Sequence, residues 1–193
     1  DLLVAEGITT AGQLSIRWIE NRLNKYLNNV LKTDEDYVIA SDTDSVYLTL
    51  DKLVTETIKS DNVLSKTINF LDKVASESIE PYITKSYDEL KQYTNAFANK
   101  MFMKREVIAN KGIWVAKKRY ILNAHDVEGV RYKEPKLKIM GVEAVKSSTP
   151  AACREKIKDA LKIIMTKDNQ ELNSFIQDFR KDFMDLKPEL IAY

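Results

Sequence analysis

One cysteine, Cys153, occurs in 193 residues, so no intramolecular disulfide can form and a reducing compartment is the natural setting. No apolar run approaches the ~20 residues that a membrane-spanning helix needs. The opening "DLLVAEGITT" has neither the basic n-region nor the apolar h-region of a signal peptide. Asp1 in place of methionine is what a chain cut from within a longer protein would show. Internal repeats and low-complexity stretches are also absent. A net charge of +1 means that no global excess of one sign demands nucleic acid or an acidic substrate.

What is present is enough apolar content, 44%, to bury a core in a folded chain of this length. The charge balance is also uneven along the chain. From Lys100 to Pro150 there are 12 Lys and Arg against 5 Asp and Glu, and elsewhere 18 against 24. One quarter of the sequence is therefore a basic block.

Apolar residues Leu14, Trp18, Leu23, Tyr26, Leu27 and Val30 recur at helical spacing, predicting a helix over about 9–31 that ends at "KTDED". Residues 37–50, "YVIASDTDSVYLTL", predict a hairpin, with β-branched and aromatic residues on both arms and a short polar centre. Leu64, Ile68, Leu71 and Ala75, then Tyr82, Ile83, Tyr87, Leu90 and Tyr93, predict one long or two consecutive helices to about residue 98, with Pro81 as a kink or break. From Met101 to Lys146 the pattern is short strands, "MFMKREVIA", "GIWVAKKRYILNAHD" and "GVRYKEPKLKIMG", with turns at Asn110, Gly112, Gly129 and Pro135. Thr149 is placed to cap a helix beginning at Pro150. Helices fill the remainder, including a stripe of Leu172, Phe175, Ile176, Phe179, Phe183 and Leu186. The fold class expected is α+β, with a boundary near residue 147 separating a sheet-containing portion, 1–147, from an all-helical one, 148–193. His125, the only histidine, reads as a turn or surface residue.

Two features carry chemistry. In a strand, residues i and i+2 share a face about 6 to 7 Å apart, so Asp42 and Asp44 can aim at one metal-sized site, with the Thr43 carbonyl and Ser45 near it. Hard oxygen ligands of this kind suit Mg²⁺ or Mn²⁺ that keep water and bind substrate phosphates. Two carboxylates cannot neutralise two divalent ions, so a two-metal centre would need at least one more carboxylate and triphosphate oxygens. A solvated turn and the D-x-D of metal-dependent sugar-nucleotide transferases fit the same residues. An EF-hand does not, because Val46 and Tyr47 stand where that loop needs an oxygen ligand and glycine.

In "GIWVAKKRYIL", a period of two would put Lys118 and Tyr120 on one strand face and Lys117 and Arg119 on the other. Cations on both faces imply a wet edge or an anion on one side, since an unpaired buried charge is costly. With Arg131, Lys133, Lys136, Lys138 and Lys146 nearby in sequence, the block has the footprint of a phosphodiester-binding surface. An acidic hairpin and a cationic sheet in one chain fit chemistry on nucleic acid.

"SDTDSVY" resembles motif C in the palm of family B DNA-directed DNA polymerases, and "KKRY" resembles that family's downstream primer-template motif. With "MFMKREVIA", "EPKLKIMGVE" and "KSSTP" in order, the likeness is to the replicative polymerases of T-even-type tailed phages and runs across essentially the whole chain. It implies an antiparallel-sheet palm followed by the first helices of a thumb. Asp44 then matches the palm metal ligand and Asp42 the first motif C aspartate, with Thr43 and Ser45 shaping the turn. Glu106 matches an acidic residue close to the metals. Lys117, Lys118, Arg119 and Tyr120 match the primer-template motif, and Lys138 a palm strand facing the duplex. Ala40-Ser41 stand where the family has Tyr-Gly, and serine lacks glycine's backbone freedom. The implied cofactor is Mg²⁺, and the implied partners are primer-template DNA, a dNTP, the polymerase portion carrying motif A, fingers and exonuclease, and a sliding clamp. The implied setting is the cytoplasm of an infected bacterium. The alternative is a nucleic-acid-binding remnant of such a polymerase without catalysis.

Overall fold

A computed structural model describes residues 1–58 and 64–191, a mixture of helices and two small sheets that is α+β as expected. They divide into two compact units, Asp1–Ile108 and Ala109–Tyr193. Among the described residues no helix is long and apolar enough to cross a membrane.

The first unit starts with helix α1, Leu2–Leu31. It begins seven residues before the periodicity suggested, because the Asp1 side chain caps it by accepting from the Leu3 amide at 3.0 Å. Its buried residues Ile19, Leu23, Leu27 and Leu31 all lie in the second half. Lys32, in the left-handed conformation at φ 54°, ends it. Strands β1, Val38–Asp42, and β2, Ser45–Leu48, form the predicted hairpin. A short helix α2, Asp51–Thr57, follows.

Helix α3, Leu64–Val74, passes through a π-helical segment, Ala75–Ile79, into α4, Glu80–Tyr93. The expected break at Pro81 does not occur. Proline cannot donate to the carbonyl four residues back and its ring crowds that carbonyl. The wider π turn, in which the Glu80 amide bonds to the Ala75 carbonyl, lies immediately before Pro81, which sits in the first turn of α4. Ile79, Ile83, Tyr87 and Leu90 from this helix close on Ile19 and Leu23 of α1. The Trp18 indole N–H donates to the Ser86 carbonyl at 2.8 Å, and Tyr26 stacks on Tyr82 at 4.3 Å.

Two asparagines of α1 hold the chain that enters the hairpin. The Asn24 side-chain oxygen accepts from the Tyr37 and Val38 amides at 2.8 and 3.0 Å. One turn on, Asn28 accepts from the Glu35 amide at 2.8 Å and donates to the Glu35 carbonyl at 2.7 Å. Tyr37, 2% exposed, packs between Leu27 and Leu31.

In the second unit the sheet order is β3, Val107–Ala116; β4, Arg119–Val127; β5, Val130–Met140. Strand β3 reaches two residues back across the unit boundary. Several sequence expectations fail here. Residues 101–106 are not strand, Asn110 and Gly112 lie inside β3, and Pro135 lies inside β5. Pro135 is tolerated because β5 is an edge and its register against β4 shifts there, from Ala124 opposite Lys136 to Asp126 opposite Arg131. Glu128 and Gly129, both at positive φ, make the tight β4–β5 turn. Asp126 closes it, accepting from the Gly129 amide at 2.9 Å and from the Arg131 guanidinium at 3.2 Å.

Tyr120 through Asp126 are all buried, as befits a central strand covered on both sides. His125 is therefore a core residue, 4% exposed, rather than a turn or surface one. Ile121 and its cross-strand partner Ile139 pack with Met165 and Leu161 of helix α5, Ala151–Thr166. Pro150 occupies the N-cap itself, so Thr149 does not cap α5. The expected boundary at 147, between β5 and α5, lies inside the second unit and does not coincide with the division after Ile108. Helices α6, Asn169–Met184, and α7, Pro188–Ile191, complete the unit. The Lys156 ammonium of α5 reaches α6, 5.9 Å from the Phe175 and Phe179 ring centres and 3.6 Å from Asp182.

Asn24→Ala removes the acceptor of two strand-entry amides and is expected to cost about 2 kcal/mol or more in urea unfolding, a loss that Asn24→Asp partly restores. Burial holds the His125 imidazole below its ordinary value of 6.5. Its contribution to stability is thus complete above pH 6.5 and is lost as pH falls below that value, where the unfolded chain takes up a proton that the folded chain resists. Unfolding midpoints measured from pH 7.5 to 5 should fall, and His125→Gln should flatten that part of the slope.

Candidate metal hairpin and cationic turn

The four residues Asp42, Thr43, Asp44 and Ser45 form the hairpin tip. Asp42 ends β1 and pairs with Ser45, the first residue of β2, leaving Thr43 and Asp44 as a two-residue loop. The strand argument for a shared face therefore does not apply: Asp42 is on a strand and Asp44 is in the turn. Thr43 takes φ 53°, a left-handed conformation that costs a β-branched residue energy and that glycine normally supplies at the first loop position of such hairpins. The Asp44 amide bonds to the Asp42 carbonyl at 2.6 Å across it. The Thr43 hydroxyl donates to the Asp42 carboxylate at 3.0 Å, and the Ser45 hydroxyl donates to the Asp42 carbonyl at 3.1 Å. Ser41 sits in β1 opposite Val46, without positive φ, so no glycine freedom is required at that position.

Asp44 is exposed and Asp42 half-buried. Glu106 is exposed at the entry to β3. Its backbone is fixed by its neighbour: the Arg105 amide donates to Glu80 at 2.8 Å, and the Arg105 guanidinium pairs with Asp72 at 2.6 Å. Among the described residues, no three His, Cys, Asp or Glu side chains form a group able to hold a metal ion. Asp42, Asp44 and Glu106 are thus not assembled into one. The donor chemistry of the hairpin still suits Mg²⁺, which needs only one or two protein carboxylates when water and phosphate complete its shell.

In the second unit, Lys117 and Lys118 are not strand residues. They form the two-residue turn between β3 and β4, and the period-two arrangement of cations along one strand is overturned. Both are exposed, with Lys118 at φ 59°. The turn is seated on Gly141, itself at φ 65°, so closely that a Cβ there would lie 2.2 Å from the Lys118 carbonyl oxygen. Arg119 is held: its guanidinium pairs with both oxygens of Glu143 at 2.5 Å, and Lys146 joins the same carboxylate at 3.3 Å. Its own backbone amide, then Lys146 and Arg119, keep the Glu143 carboxyl below the usual carboxylate range.

Tyr120 is 5% exposed, with its ring 6.3 Å from that of Trp114. The Trp114 indole lies over Gly112, where a Cβ would meet it at 2.7 Å. Lys138, half-buried on β5, is directly opposite Leu122. Sequence reasoning missed Arg105, Asp126, Glu143 and Gly141. For the first, the signal was an arginine beside an acidic candidate; for the last, a glycine just after a strand.

No family model matches the chain. It is 45% identical over 172 residues to the DNA-directed DNA polymerase of Escherichia phage RB69, covering 84% of this chain and 19% of that one. It is 38% identical over 205 aligned positions to the DNA-directed DNA polymerase of Enterobacteria phage T4, covering 100% of this chain and 22% of that one. This chain is a relative of phage DNA-directed DNA polymerases. It spans about a fifth of the length of these curated relatives.

In this polymerase relative the cationic turn depends on Gly141. Gly141→Ala combines an unfavourable φ with a backbone clash, so about 1–3 kcal/mol of stability should be lost in chemical unfolding. Gly129→Ala, where no atom lies within 4 Å of the added Cβ, should cost less.

Proposed function

We propose that these 193 residues are the portion of a phage-type DNA polymerase that supplies one side of the metal site and part of the primer-template grip. The acidic hairpin carries this reading: it holds one carboxylate, Asp44, in a strained two-residue loop and another, Asp42, at the strand end beside it, in a chain similar along its length to two phage polymerases. Asp44 and Asp42 are assigned as Mg²⁺ ligands of the polymerase centre, with Glu106 as an accessory acidic residue. Mg²⁺, when bound, neutralises charge on the attacking and leaving oxygens. The chain's own residues position the carboxylates: Thr43 orients Asp42, and Ser45 fixes the turn that points Asp44 outward. Lys117 and Lys118 meet phosphates of the duplex, Arg119 sets the direction of the strand behind them, and Tyr120 and Lys138 line the sheet beside it.

Residues 1–147 are assigned to the palm and 148–193 to the start of the thumb. The reaction served is attack of a primer 3′-OH on the α-phosphate of a dNTP, with pyrophosphate leaving. Among the described residues no three carboxylates are grouped as a two-metal centre needs, and the relatives are about five times as long. The rest of a polymerase would supply the remaining ligands and the nucleotide grip, and a sliding clamp is a further partner expected of a replicative enzyme.

A labelled primer-template titrated with the purified chain should show binding that weakens steeply with salt. The double change Lys117→Ala with Lys118→Ala should reduce affinity several-fold, and Asp44→Ala should leave it unchanged. Primer extension should be absent from the 193 residues alone. Extension by this chain that Asp44→Ala abolishes would show that it needs no complement. That no three carboxylates group among the described residues favours a second reading, a binding remnant, which predicts duplex binding indifferent to Mg²⁺ and no extension with any complement.

A further inference from the structure

Residues 99–106 join α4 to β3 without forming helix or strand, yet side-chain bonds fix their course. The Asn99 side chain donates to Asp88 at 2.8 Å, the Arg105 backbone amide donates to Glu80 at 2.8 Å, and the Arg105 guanidinium pairs with Asp72 at 2.6 Å. This strap therefore runs back along the helix it has just left. The Arg105 side chain is only 15% exposed, whereas Glu106 beside it is exposed. Between the bonds, Met103 packs on the same core that receives Val38, Val46 and Leu48 of the acidic hairpin. Strap and hairpin share one base.

One arginine reaches both Asp72 and Glu80 because of the π segment between them. On an uninterrupted α-helix, residues eight apart point about 80° away from each other. The π turn at Ala75–Ile79 takes up one extra residue, so Asp72 and Glu80 lie as residues seven apart would, within roughly 20° of one another. The π turn thus does more than lead the helix past Pro81: it aligns two carboxylates under one residue of the strap. Hydrogen bonds to ionised acceptors are the stronger kind and fix orientation.

We propose that Arg105 is a positioning residue for the acidic site: held by Asp72 and Glu80 in the alignment that the π turn creates, it fixes the direction in which Glu106 is presented toward an ion at the hairpin. The inference rests on the polymerase reading above, in which Glu106 accompanies Asp42 and Asp44. An untethered strap would let Glu106 sample many directions, and each binding event would have to order it again. Arg105 removes that cost by ordering the strap beforehand.

The test uses the 193-residue chain with isotope-labelled Asp and Glu carboxyls and Mn²⁺ as a paramagnetic probe, reading by NMR how strongly each carboxyl signal broadens. In the unaltered chain Glu106 should broaden at the same Mn²⁺ level as Asp44. Arg105→Ala should reduce the broadening of Glu106 relative to Asp44 about fivefold, and Arg105→Lys should recover part of it. Asp72→Asn, at a half-exposed carboxylate whose shape is kept, should reduce the ratio about twofold without unfolding the chain. Arg22→Ala, which breaks the pair with Glu89 away from the strap, should leave the ratio unchanged, as a loss of general stability would. A ratio unmoved by Arg105→Ala and Asp72→Asn, or Glu106 left sharp while Asp44 broadens, overturns the role of Arg105 and leaves the hairpin's metal assignment standing. No broadening at Asp42 or Asp44 overturns both.

Discussion

The entry of the acidic hairpin depends on hydrogen bonds to one side chain above others, that of Asn24. A two-stranded hairpin is marginal by itself in water, and this one is half-exposed on both strands. Its ladder fixes the two arms to each other and not to anything else. The attachment is the Asn24 oxygen, which accepts from two successive amides where the chain turns into β1, with Asn28 repeating the device on the approach. Because these residues are four apart, both amides lie on one face of α1. On the other arm, Val46 and Leu48 pack on the core built from α1 and α4. The carboxylates therefore stand at the end of a short lever whose base is a helix–helix interface, and the π turn before Pro81 helps that interface stay continuous.

The sequence showed this much of the fold for a physical reason: β-branched arms around a polar centre leave few alternatives to a hairpin, and the α1 periodicity is strong wherever its residues are buried. Where burial is absent the signal is absent too. Residues 2–14 of α1 are helical without presenting a buried stripe, so periodicity placed the start too late. The misreading of "GIWVAKKRYIL" has a different origin. Turns are read from Gly, Pro, Asn and Asp, and Lys117-Lys118 contains none of them. The glycine that this turn uses is Gly141, distant in sequence and adjacent in space, allowing the Lys118 carbonyl to approach where any Cβ would intervene. His125 and Asp126 were misjudged or missed because a central strand buries its polar residues along with its apolar ones, and only pairing with β3 and β5 makes β4 central.

The basic block likewise resolves into two kinds of cation. Arg119 and Lys146 share Glu143, Arg131 pairs with Asp126, Lys136 lies 4.3 Å over the Tyr132 ring, and Lys111 donates to the Ile164 carbonyl near the C-terminus of α5 at 2.7 Å. The last contact places positive charge where helix carbonyls lack partners. These cations build the unit, so a surplus counted along the sequence overstates what a phosphate backbone would meet. The exposed lysines of the β3–β4 turn differ in being carried on a rigid seat, since the strand that follows is fixed by Arg119 on Glu143 and by burial from Tyr120 onward.

The same economy of position governs Thr43. Glycine at this φ would relieve strain of roughly 1–3 kcal/mol, and it would also remove the hydroxyl that donates to the Asp42 carboxylate. Threonine keeps one carboxylate oriented at the expense of backbone comfort, and the neighbouring Ser45 hydroxyl and the Asp44 amide, both bonded to the Asp42 carbonyl, hold the strained residue from the other side. All three contacts converge on Asp42, whereas Asp44 is the residue left exposed. The tip is thus asymmetric: one carboxylate is tied into the turn that supports it, and the other is presented outward, where a ligand can reach it without displacing any bond that shapes the turn.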